Sequence, residues 1–76
     1  MWFKTINEAG NHFVYNSNKL VVIRAEGKHA IRFRDIMHSN SYVDVTYKDT
    51  ASRDAELKRI FDLLLPMKTD NNIARR

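Results

Sequence analysis

The stretch Ser52 to Leu65, SRDAELKRIFDLLL, decides how the chain is read, because it alone is long and periodic enough for an amphipathic helix. Leu57, Ile60, Phe61 and Leu64 recur at i, i+3, i+4 and i+7, which at 3.6 residues per turn makes one inward stripe. Glu56, Lys58, Arg59 and Asp62 take the water side. Ser52 is the expected N-cap, Asp54 and Glu56 put negative charge at the positive end of the helix dipole, and Asp54 precedes Lys58 by one turn in the favourable order. Pro66 has no N–H and disfavours helical geometry in the residue before it, which predicts a stop at Leu64 or Leu65. Leu63 and Leu65 widen the apolar arc to roughly 200°. Leu65 therefore either folds back under Pro66 and Met67 or meets a second subunit.

Everything before the helix alternates. Leu20 to Glu26, LVVIRAE, is rich in β-branched residues and closes on Gly27 and Lys28, which suit a two-residue hairpin turn. His29 to Asp35 then returns antiparallel with Ile31 and Phe33 on one face and Arg32 and Arg34 on the other. Ile36 to His38 leads into the turn residues Ser39, Asn40 and Ser41, and Tyr42 to Lys48 sets Val43, Val45 and Tyr47 against Asp44, Thr46 and Lys48. Trp2 to Ile6 and His12 to Tyr15 are shorter strands around a turn-rich run containing Gly10.

Three consecutive antiparallel strands followed by one helix predict an α+β domain, a meander sheet of four to five strands with the helix on one face. Residues 1–66 form that domain and 67–76 a flexible basic tail. Val21, Ile23, Ile31, Phe33, Val43 and Val45 are the expected sheet side of the core. Leu20 and Val22 fall on the opposite face beside Arg24, an aliphatic and basic mixture that suits a binding or subunit surface.

At 76 residues the core is thin, and self-association would supplement it. The chain has no cysteine, so disulfides and thiolate ligands are excluded, and a reducing, cytoplasmic setting is expected. Lys4, Asn7 and Glu8 interrupt the apolar start before a signal peptide core forms, and no run approaches the ~20 apolar residues of a membrane span. The net charge is +4, concentrated from Lys19 to Arg34, where Lys19, Arg24, Lys28, Arg32 and Arg34 face the single acid Glu26. An anionic partner is drawn to that half.

Catalytic and metal chemistry find little to stand on. His12, His29 and His38 lack the spacing of a metal site, and His38 to Ser41 lacks the oriented third group of a nucleophilic centre. Two glycines cannot build a phosphate-cradling loop. The chain reads as a non-enzyme without cofactor or metal. Its candidate ligand site is Arg24, Arg32 and Arg34, whose guanidiniums grip phosphate or carboxylate bidentately, together with Lys28 and with the Tyr42 ring for stacking a base. Nucleotide or nucleic acid is the first partner this predicts. A protein-interaction inhibitor or adaptor using the aliphatic surface is the alternative.

The order LVVIRAEG, AIRFR, YVDVTYK and ELKRIFDLL resembles the small meander-plus-helix proteins of phage and prophage accessory genes, over Phe13 to Leu65. That resemblance is architectural. It implies a protein that acts by binding, blocking a host defence or transcription protein or sequestering a nucleotide signal between subunits.

Overall fold

In a computed structural model of the chain, residues 1–36 and 41–74 are described, with side chains through 65. Strands β1 (Trp2–Ile6) and β2 (His12–Asn16) form one antiparallel hairpin. A short 3-10 turn, Ser17–Lys19, leads into β3 (Leu20–Glu26), β4 (Ala30–Asp35) and β5 (Val43–Thr46), which make a separate antiparallel sheet in that order. Helix α1 spans Thr50–Ala74. The predicted α+β class and antiparallel pairing hold, but the single four-to-five-strand sheet becomes two sheets, of two and three strands.

The division follows from the hairpin's inner face. Phe3, Thr5, Phe13 and Tyr15 share one side of the pleat, while Trp2, Lys4, Ile6, His12 and Val14 on the other are exposed. Rings that large gain more by lying face down on a second sheet than by extending it edge to edge. Tyr15 stacks on Phe33 with centroids 4.6 Å apart, and Phe3 lies 6.3 Å from the same ring. The hairpin and α1 therefore cover the same face of β3–β4–β5. The core between the layers is Phe3, Ile31, Phe33, Val45, Tyr47 and Ile60, with Leu20, Ile23, Leu57 and Leu64 at its margin.

A backbone bond fastens the layers, the Glu8 N–H donating to the Thr46 carbonyl at 2.9 Å, while the Ser17 N–H donates to the Met1 carbonyl at 2.8 Å and extends the β1–β2 ladder by one pair. Gly27 has φ +58 and opens a loop of three residues, Gly27 to His29, rather than the expected two.

Several expected positions move for identifiable reasons. A bulge between Leu20 and Val22 resets the side-chain parity of β3: Leu20 packs on the core, and Val21, expected inside, is 51% exposed. Val43 is also exposed, at the open end of a four-residue edge strand. The helix starts earlier than Ser52, because the Asp49 carboxylate accepts the Ser52 N–H at 2.7 Å and takes the N-cap role. Asp54 pairs with Arg53 rather than Lys58, and Lys58 instead reaches Asp62. The helix also continues through Pro66 to Ala74. The missing N–H forfeits one bond, to the carbonyl one turn earlier, and a helix already propagating keeps the rest. The expected turn at Ser39 and Asn40, with His38, lies outside the described residues.

Candidate interaction surface

The open face of the three-stranded sheet carries the basic residues that the sequence singles out. Arg24 lies opposite Arg32 across β3 and β4, Arg34 lies two positions further along β4 opposite Val22, and Lys28 sits in the turn beyond Glu26. Arg24, Arg32 and Tyr42 come together. Lys28 and Arg34 flank them at opposite ends of the strand pair.

Acids answer the charges of Arg24 and Arg32. Arg32 sends Nε and one terminal nitrogen to the two oxygens of Asp44 at 2.8 and 3.0 Å, a fork that Asp44 can offer because it is the cross-strand partner on β5. Arg24 pairs with Glu26 at 2.7 Å, and Arg32 approaches the same oxygen at 3.7 Å. The Arg32 guanidinium also lies 3.6 Å from the centroid of Tyr42, whose side chain is 53% exposed. The hydrogen bond from Arg32 holds the Asp44 carboxyl below its usual range, and the same bond raises the guanidinium further. Arg24, Arg32, Glu26 and Asp44 thus form a locally neutral cluster.

Around the layer edge the surface turns apolar. A groove of about 470 Å³ opens between the start of β3 and the helix, lined by Leu20, Val21, Val22, Ile23, Phe61, Leu64, Leu65 and Met1, with Ser17 and Asn18 as its polar members. Val21 and Leu65 stand on it as exposed aliphatics, Leu65 at 45%. The bulge in β3 put Val21 there. The wide apolar arc of α1 put Leu65 there, so the helix margin that the sequence left open between back-folding and contact faces this groove.

A second groove, of about 520 Å³, follows the outer edge of β1 beside α1. Its floor is a chain of polar groups that sequence reading missed. The Tyr47 and Thr5 hydroxyls lie 2.6 Å apart, the Thr5 hydroxyl donates to Glu56 at 2.6 Å, and Glu56 accepts two bonds from Arg59 at 2.7 Å. Arg59 also donates to the Lys4 carbonyl on the edge of β1. Every hydroxyl proton is used, so the cluster fixes the hairpin to the helix rather than exposing a nucleophile. Glu56, expected on the water side, is half-buried here.

Arg53 is the other missed residue. It is 6% exposed, and its guanidinium donates to the Ala30 carbonyl at 2.9 Å under the β3–β4 turn. The signal was present, since Arg53, Leu57, Ile60 and Leu64 continue one stripe at i, i+4, i+7 and i+11. A search for apolar residues alone passes over it.

Among the described residues no three His, Asp or Glu side chains gather into a metal-binding group. No described helix is long and apolar enough to cross a membrane. Compared with family models, curated proteins and solved structures, the chain matches none of them.

Proposed function

We propose that the protein is a non-catalytic interaction module that seats an apolar segment of a partner protein in the groove between β3 and α1. One observation carries this reading: the groove is lined mainly by aliphatic and aromatic side chains, with Val21 and Leu65 left exposed on it. Contiguous apolar surface beside a charged, hydrogen-bonded rim has the anatomy of a protein interface. An inhibitor or adaptor of a host protein, as implied by the resemblance to phage accessory proteins, would work in this way.

The anionic partner is the second reading. Nucleotide or nucleic acid bound by Arg24, Lys28, Arg32, Arg34 and Tyr42 must compete with Glu26 and Asp44, which already hold Arg24 and Arg32. A phosphate offers more charge than a carboxylate, so the exchange is chemically reasonable but costs both existing ion pairs.

The test uses proteins retained from a cell extract by the immobilised chain. Val21→Glu and Leu65→Glu should each release them, whereas Arg32→Ala with Arg34→Ala should retain them. Retention should survive a rise from about 50 to about 500 mM salt, since little counterion release accompanies an apolar contact. Retention that ignores both groove variants and collapses with salt would instead establish the anionic reading.

A further inference from the structure

We infer that the free edge of β3 pairs with the same edge of a second copy, antiparallel about Ala25, through reciprocal ion pairs between Arg24 of one chain and Glu26 of the other. The backbone direction comes from a single bond. The Tyr47 N–H donates to the His29 carbonyl, so odd-numbered residues of β4 bond towards β5 and even-numbered ones towards β3. Arg24 and Glu26, partnered with Arg32 and Ala30, therefore bond inward. Ile23 and Ala25 direct their N–H and C=O groups away from the sheet.

The outer edges of β1 and β5 are closed at their centres. Arg59 occupies the Lys4 carbonyl on β1, and Glu8 occupies the Thr46 carbonyl on β5. The Ile23 and Ala25 groups of β3 have no such partner among the described residues, and no proline or inward charge blocks that edge. The bulge at Val21 confines regular strand geometry to Val22 through Glu26.

Charge selects the register. With Ala25 opposite its twin, the two alanines exchange N–H and C=O bonds, and Arg24 falls directly across from Glu26 of the second chain, twice. Moving the axis by one position, to Arg24, would oppose two arginines. The Arg24 and Glu26 side chains share the open face and already meet at 2.7 Å within one chain, so pairing completes a square of alternating charge. Ala25 is exposed and small, which lets the strands approach. The start of each β3 then points outward, leaving a groove at either end of the six-stranded sheet. The module becomes bivalent.

Charge reversal tests this in sedimentation at about 100 μM chain, a concentration suited to an interface at the small end of the usual range. The wild type should move from 9.0 kDa towards twice that mass. Arg24→Glu and Glu26→Arg should each stay monomeric, because each opposes like charges across the axis, and an equal mixture of the two should associate again. Leu65→Glu, which alters only the groove, should dimerise as the wild type does, so loss of partner binding and loss of pairing are separable. Amide exchange on the wild type gives a reading independent of variant folding: the Ala25 amide should become several-fold better protected as concentration rises. A wild type that stays at 9.0 kDa, a mixture that stays monomeric while the wild type pairs, or an Ala25 amide indifferent to concentration would each overturn the pairing.

Discussion

The Thr5 hydroxyl donates to a Glu56 carboxylate oxygen at 2.6 Å across 51 positions of chain, joining the first strand to helix α1. Because that proton is committed to Glu56, the Tyr47 hydroxyl donates to Thr5. Thr5 is 1% exposed, so replacing it by the near-isosteric Val leaves the hydroxyl of the buried Tyr47 without its acceptor and Glu56 with only its bonds from Arg59. Thr5→Val should cost about 1–3 kcal/mol in urea unfolding at neutral pH. A variant as stable as the wild type would show that the chain of hydroxyls contributes nothing net.

Acid should weaken the same junction. Two bonds from Arg59, and then the bond from Thr5, hold the Glu56 carboxyl below its ordinary value near 4.5 in the folded state. Asp44, through Arg32, and Asp49, through the Ser52 N–H and hydroxyl, are lowered from near 3.8. A carboxyl depressed by folding stabilises the fold above its unfolded pKa, and that contribution fades as pH falls through the folded value. Stability should therefore be level from about pH 5 to neutral pH and decline towards pH 2. Glu56→Gln removes one titrating group, so its urea midpoint should fall less steeply over that range. Parallel declines in the two proteins would rule out Glu56 as a contributor.

Helix truncations should separate the core from the groove. Ile60 is fully buried, and Ile60→Ala should cost about 2–5 kcal/mol, a large part of the stability of so small a domain. Phe61 shares the sequence stripe but is half-buried and lines the groove, so Phe61→Ala should cost less than Ile60→Ala. Thermal unfolding of both variants checks the order, and the reverse order would mean that the helix is rotated about its axis.

Periodicity made much of this legible. Ile31, Phe33, Val45, Tyr47 and Ile60 are core because their alternation or helical spacing says so, and the limits of β1 and β3 follow from the same pattern. What periodicity cannot carry is an inserted residue. One bulge reversed Leu20 and Val21, and with them the identity of the groove. Nor does it say which strands share a sheet, since Phe3 and Tyr15 would alternate in the same way at a sheet edge as across a sheet face. The candidate site divided similarly. Strand spacing put Arg24, Arg32 and Arg34 on one face correctly, but the hold of Asp44 on Arg32 depended on cross-strand register. Proline's effect was overestimated, because Pro66 removes one bond from a helix that extends on both sides of it.

That register reverses one expectation about the basic face. Crowded arginines without partners would make their removal harmless or stabilising in the ligand-free protein. Arg32, however, holds both oxygens of Asp44 and lies over Tyr42, so Arg32→Ala leaves a carboxylate without its fork and a ring without its cover. The melting temperature should fall, by a small amount appropriate to a surface cluster. Arg32→Lys should recover only part of it, because an ammonium cannot span both oxygens and stack on the ring at once. Raising salt should narrow the gap between wild type and Arg32→Ala, since screening weakens the ion pair while leaving the core unaffected. A ligand-free Arg32→Ala protein that melts at or above the wild-type temperature would mean that the arginines repel one another more than Asp44 and Glu26 relieve. It would also return the anionic partner to first place among the readings of this surface.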